Sequence, residues 1–201
     1  MRVLLITSLF LIGFASCNAP ENKNESPAEE VETVTEESPE SEVTSDFAPQ
    51  SVDDDVAEQL ATFLTTNYLA EDLEFIKEQD RIFQFFKVDL NDDGSNEYFV
   101  RFMNSWFCGS GGCTFFLLTE DGEMITKFTV TNPPIFVEPT KKNGWPILLV
   151  KDRGEWKELV FENGTYPPNP SVLPKAPYDA PSGHALVMFD NEFGKAKTYT
   201  F

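Results

Sequence analysis

Ile82-Phe83-Gln84-Phe85-Phe86-Lys87-Val88-Asp89-Leu90-Asn91-Asp92-Asp93-Gly94-Ser95-Asn96-Glu97-Tyr98-Phe99-Val100-Arg101-Phe102-Met103 is the stretch on which the fold turns. Two aromatic-rich runs, 82–88 and 98–103, flank an acidic segment that contains one glycine. Aromatic and β-branched side chains suit a pleated, buried surface, and Asp93-Gly94 marks a turn. The reading is strand, loop, strand. The pattern then repeats downstream. Short apolar runs at 114–119, 124–130, 135–137, 147–150, 156–161 and 185–189 are separated by Asp121-Gly122, Asn132-Pro133-Pro134, Asn143-Gly144, Arg153-Gly154 and Asn163-Gly164. Asn-Gly and Asp-Gly turns favour antiparallel hairpins. Upstream, Asp53, Asp54 and Asp55 can cap a helix and complement its positive end. Val56, Leu60, Phe63 and Leu64 follow at helical spacing, and a second short helix is expected over 71–78. The fold class predicted is α+β, a mainly antiparallel sheet with one or two N-terminal helices packed on it. The absence of an internal repeat argues against a propeller.

The loop at the centre of that stretch has its own chemistry. From Asp89, oxygen-bearing side chains fall at positions 1, 3, 5 and 9 (Asp89, Asn91, Asp93 and Glu97), and Gly94 stands at position 6. Calcium takes roughly 6–8 oxygen ligands in a flexible shell, with carboxylates supplying most of the charge. Alternate residues of a tight loop can turn inward to one point. Asp89, Asn91, Asp93 and Glu97 would do so, Ser95 would offer its backbone carbonyl, and Gly94 permits the positive φ of a sharp turn. The segment resembles the Asp-x-Asn-x-Asp-Gly-x-x-Asp/Glu loops that join strands in integrin-type propellers and related bacterial repeats. It departs from the EF-hand, which needs a bidentate Glu at position 12; here that position is Val100. The resemblance covers 89–97 and implies Ca2+ as the bound ion. An acidic hairpin turn, with Asp and Asn side chains bonding the backbone, is the plainer alternative.

The N-terminus carries export information. Arg2 precedes an uncharged apolar run, Val3 to Phe14, and then Ala15-Ser16-Cys17. These are the parts of a signal peptide, with an apolar run too short to span a bilayer. Phe14-Ala15-Ser16-Cys17 resembles the lipobox of bacterial lipoproteins, although Phe14 stands where Leu is usual. The resemblance implies residues 1–16 as signal peptide and Cys17 as the lipidated first residue of the mature chain, held at a membrane. It places the protein in a bacterial cell envelope. Asn18, in place of the Asp that retains enteric lipoproteins at the inner membrane, implies the outer membrane, periplasmic or surface-facing. Two cysteines then remain, Cys108 and Cys113, around Gly-Ser-Gly-Gly. In an oxidising compartment they are expected to form a disulfide, placed beside the calcium loop.

Residues 17–51 read as a lipidated acidic tether. Ten acids face one lysine, Lys23, and prolines are scattered through it. Such a segment cannot bury enough surface to offset the entropy of ordering. It carries −9, the signal carries +1 from Arg2, and residues 52–201 therefore carry −11 of the total −19. Residues 52–201 are read as one domain, large enough for a real core. A chain this acidic excludes nucleic acid as a partner and is repelled by anionic head groups. A monomer is expected, with an unknown protein or glycan as partner.

No assembled catalytic signature is present. His184 is the only histidine, and no Gly-x-Ser-x-Gly elbow occurs. The lipobox, the acidic loop, the Cys108–Cys113 segment and Gly144-Trp145-Pro146 together look like a bacterial envelope domain, and that resemblance brings no activity with it. The reading is a calcium-binding envelope lipoprotein that acts as a binding or structural module. The alternatives are an envelope hydrolase with paired carboxylates acting on glycans, and an inhibitor of a basic lysozyme-like enzyme. Trp106, Trp145 and Trp156 either form a shared aromatic platform or sit in and beside the core.

Overall fold

Strand alternation divides the phenylalanines between two cores. The computed structural model describes residues 48–191 and 196–201. In β1 (Ile82–Val88) and β2 (Glu97–Phe102), successive side chains point to opposite faces. Phe83, Phe85, Tyr98, Val100 and Phe102 line one face, joined by Phe116 and Leu118 of β4 (Gly112–Leu118). Phe86, Phe99, Phe115 and Leu117 line the other. Each face is covered, so these strands read as continuous apolar runs.

The first face is covered by a helix. A short helical turn, α1 (Ala48–Ser51), precedes α2 (Asp54–Phe63). Asp53 caps α2 by accepting the Val56 N–H at 3.2 Å, and Lys87 of β1 holds the same carboxylate at 2.6 Å. The helix runs on through one π-helical turn, Leu64–Tyr68. Ala57, Leu60 and Leu64 are buried against the sheet. The expected helix over 71–78 is absent: that segment is a turn ending in a 3-10 element, Glu78–Asp80. The Arg81 guanidinium donates to the carbonyls of Leu73 and Ile76 there, so they are satisfied without a helix.

The second face is covered by another sheet. The first sheet has the order β10-β1-β2-β4-β3, with β5 also on β4; the remaining members are β3 (Cys108–Gly109), β5 (Met124–Thr131) and β10 (Tyr199–Thr200). The second has the order β8-β7-β6-β9, from β6 (Ile135–Lys142), β7 (Trp145–Asp152), β8 (Glu155–Leu159) and β9 (Leu186–Met188). Every pairing in both is antiparallel. Ile135, Val137, Leu148, Val150 and Leu159 of the second sheet meet the Phe86 and Phe99 face of the first. The arrangement is helix, sheet, sheet, in the α+β class expected.

Asn143 and Gly144, and again Arg153 and Gly154, all have positive φ. They close the β6–β7 and β7–β8 hairpins as two-residue turns, the geometry that matches strand twist. The proline-rich segment after Tyr166 reaches the β8 edge of the second sheet, where Ala176 N–H donates to the Trp156 carbonyl at 2.7 Å and Lys175 bridges Lys157 antiparallel. Among the described residues, no helix is long and apolar enough to cross a membrane.

Candidate functional site

The acidic loop joins β1 to β2, where Val88 pairs with Glu97. Its backbone turns beneath its own side chains. The Asp89 carboxylate accepts the N–H of Asp93 at 3.2 Å and of Gly94 at 3.0 Å. Asn91 Oδ1 accepts the Asp93 N–H at 2.9 Å, and its amide donates to Asp93 Oδ2 at 2.7 Å. Asp93 Oδ1 accepts the Ser95 N–H at 2.8 Å. Asp92 and Gly94 take positive φ, 62° and 92°. These are the side-chain-to-backbone bonds that let Asx residues replace regular structure in a turn. Asp93 is held below the usual carboxylate range by the Ser95 N–H, then by the Asn91 side chain. Asp92, outside the predicted donor set, faces Lys141 of the second sheet in an ion pair.

Glu97 differs from the other acids. It opens β2 on the face shared with Phe99, so alternation turns it toward the second sheet. It is 4% exposed. Its Oε2 accepts the Leu90 N–H at 2.8 Å. Burial pushes its pKa up to about 7; the Leu90 bond opposes this, and the charges of Asp93 and Asp89 add to it. A buried carboxylate beside two others carries a cost that protonation or a cation removes.

Glu97, Asn91, Asp93 and Ser95 line one side of a cleft of about 310 Å³, and Glu120 and Asp121 add two acids to its rim. Trp145 and Phe161, stacked with ring centroids 4.2 Å apart, line the other side. The donor set is hard oxygen with no sulfur or imidazole, which suits calcium rather than zinc or copper. An ionised carboxylate has roughly four acceptor positions, so the amide bonds at Asp89 and Asp93 shape the loop and leave capacity for an ion. Among the described residues, no three His, Cys, Asp or Glu side chains gather as a metal cluster. Asp89 and Asp93 turn to the loop backbone, and Glu97 turns to Leu90.

Cys108 and Cys113 are bonded, across a β3–β4 pair in which they stand opposite each other. The bond is not beside the acidic loop. Glu97 begins β2, whereas the disulfide lies beyond its other end, where Arg101 pairs with Phe115; five residues of strand rise make the separation roughly 17 Å. Cys17, the expected lipidation site, and residues 1–16, expected as a signal peptide, lie outside the described residues.

The tryptophans form no common platform. Trp145 opens β7 and Trp156 pairs with Lys151 near its far end, six residues or roughly 20 Å along the strand. Trp106 lies on a turn of the first sheet, half-exposed and stacked on Phe75 at 6.0 Å. His184 is exposed in the segment before β9.

One group of polar residues escaped the sequence reading. On the outer face of the second sheet, Tyr178 donates to Glu158 Oε2 at 2.9 Å and Glu138 accepts the Ser182 N–H at 2.9 Å, around a cleft of about 250 Å³. Burial, then the bond to Glu158, raises the Tyr178 pKa. The signal for it was the two-residue spacing that sets Glu138 with Phe136, and Glu158 with Trp156. No family model matches this chain, and no curated protein and no solved structure matches it either.

Proposed function

We propose that the chain is an exported, lipid-anchored module of a bacterial envelope that works by binding, and that its Asp89–Glu97 loop takes up one calcium ion. The observation that supports this reading is the loop. Asp89, Asn91, Asp93 and Glu97 present only oxygen donors from one tight turn, and the Ser95 carbonyl lies within the same turn. Among the described residues, the carboxylates of Asp89, Asp93 and Glu97 take part in no ion pair, and the nearby Lys141 pairs with Asp92. The ion would relieve the repulsion between Glu97 and its two acidic neighbours, and would fix the β1–β2 hairpin that forms one side of the cleft. Anchoring through Cys17 rests on the sequence alone.

Thermal unfolding with and without calcium tests the reading. Binding to the folded state alone stabilises by RT ln(1 + [Ca]/Kd). For an extracellular-type Kd on the order of 10⁻⁴–10⁻³ M, calcium at 10 mM contributes about 1.4–2.7 kcal/mol. For a domain of this size that raises Tm by roughly 3–11 °C. Magnesium should do less, because it demands rigid octahedral geometry and keeps its waters. Asp89→Ala and Asp93→Ala should abolish the shift, and Asp121→Ala on the cleft rim should keep it. An identical Tm in chelator and in 10 mM calcium rejects the site.

A further inference from the structure

Among the described residues, the two large aromatic rings most exposed to solvent are stacked on each other. Phe75 is 61% exposed and Trp106 is 50% exposed, with ring centroids 6.0 Å apart and planes within 7°. Both are presented from stiffened turns. Beneath Phe75, Ile76 is buried, and Arg81 donates to the Leu73 and Ile76 carbonyls. Beneath Trp106, the buried Asn104 side chain accepts the N–H groups of Trp106 and Phe107 and donates to the Asp80 carbonyl. Phe107 is stacked on buried Phe102 at 4.0 Å, and the Cys108–Cys113 bond follows at once. The pair is therefore held in place without a partner, so little side-chain freedom remains to be lost on binding.

Charge around the pair selects the occupant. The segment 71–81 that carries Phe75 holds Glu71, Asp72, Glu74, Glu78 and Asp80 against Lys77 and Arg81; the Arg81 guanidinium is turned to the Leu73 and Ile76 carbonyls, whereas Glu71, Glu74 and Glu78 are exposed. The turn that carries Trp106 has no charged residue between Met103 and Cys113. An exposed aromatic centre with an acidic rim disfavours anionic lipid, and it disfavours a second copy of a chain whose net charge is −19. It complements a cation that can stack. We infer that Phe75 and Trp106 form the centre of a docking surface for a basic protein segment, with an Arg or Lys side chain lying on the Trp106 ring. Aromatic anchors inside a charged rim carry most of the energy of such contacts, the rim steers the encounter, and the cation–π contact supplies the preference for Arg.

The test is titration calorimetry of the whole domain with the peptide acetyl-(Gly-Arg)₅-amide at 0.15 M salt, beside the matched (Gly-Glu)₅ peptide and neutral chitotriose. The arginine peptide should bind and the other two should not. Trp106→Ala should weaken it about tenfold, within the range of an exposed-to-buried cation–π contact together with lost apolar area. Glu71→Gln combined with Glu74→Gln should weaken it further and flatten its salt dependence. Val172→Ala, at an exposed apolar residue elsewhere, should leave affinity within twofold. Both aromatic side chains lie largely outside the core, so Tm should hold in Phe75→Ala and Trp106→Ala. No binding of the arginine peptide overturns the proposal. So does equal binding by wild type and Trp106→Ala, which would mean diffuse attraction to an acidic protein, and so does chitotriose binding that Trp106→Ala removes.

Discussion

Glu97→Gln gives the sharpest reading of the acidic loop. The glutamine keeps the shape and an acceptor for the Leu90 N–H while removing the charge. In the folded protein burial raises the Glu97 pKa to about 7, from an ordinary value of 4.5. The folded state therefore holds a proton that the unfolded state has released, at every pH between those values. Stability falls as pH rises through that window, by about 1.4 kcal/mol per unit. The contribution is intact below about pH 4.5 and is lost above about pH 7, a total of about 3 kcal/mol. Glu97→Gln has no such loss. In chelator, the difference in unfolding free energy between variant and wild type should grow from pH 4.5 to pH 7 and then level, and in Tm the full difference is roughly 6–12 °C. Taking the difference cancels the contributions common to both proteins. Calcium should flatten the wild-type slope by favouring the ionised form. Urea melts from pH 4 to pH 8, in chelator and in calcium, measure all of this. A difference that stays constant across that range would refute the burial argument for Glu97.

Three further outcomes are expected. Cys108 and Cys113 should resist thiol labelling in native protein, and Cys108→Ser with Cys113→Ser should cost about 2 kcal/mol by the chain-entropy relation for so short a loop, measured by urea unfolding. Gly112→Ala should destabilise by several kcal/mol, because Gly112 has φ 138° and an added Cβ would lie 2.7 Å from the backbone of Val130 and Thr131; Gly109→Ala, with open space around it, should be near neutral in the same melt. Cys17→Ser should move the protein from the membrane to the soluble fraction, and a variant that stays with membranes, from a wild type whose intact mass shows no acyl chain, would end the lipoprotein reading.

The strands were legible because two local signals agreed, apolar runs of strand length and turn residues suited to positive φ. Asn143-Gly144 and Arg153-Gly154 fix hairpins by their own stereochemistry, whatever surrounds them. The division into two sheets was not legible. A turn dipeptide says that two strands pair, and nothing about which sheet they join. β10 and β3 are two residues each, too short for any period to register. In 71–78, Leu73, Phe75 and Ile76 read as a helix by composition, yet Phe75 points to solvent and Ile76 to the core, which one turn of backbone settles and one helical stripe would not. At the acidic loop, the residues and their roles in turning the chain could be read from spacing. The burial of Glu97 could not, because it depends on a second sheet packing over the end of β2. Nor could the distance to the disulfide, which follows from β2 and β4 running in opposite directions.

The pairing of β1 with β10 has a temporal consequence. Ile82 stands opposite Thr200 and Phe83 opposite Tyr199, and the rings of Tyr199 and Phe201 pack on Phe83, with Tyr199 also on Phe85. Phe201 N–H reaches the Arg81 carbonyl at 3.1 Å, and the Tyr199 hydroxyl accepts the Asp53 N–H at 3.1 Å. A chain that emerges from a ribosome or a translocation pore N-terminal end first presents β1 more than a hundred residues before its edge partner. Closing so long a loop is entropically costly and slow. Until then Phe83 and Phe85 lack part of their cover, and the helix-side core stays open at the strand on which it rests. The helix-side core is thus completed only once β10 has reached β1, and until then β1 is the apolar edge that a holding chaperone would recognise.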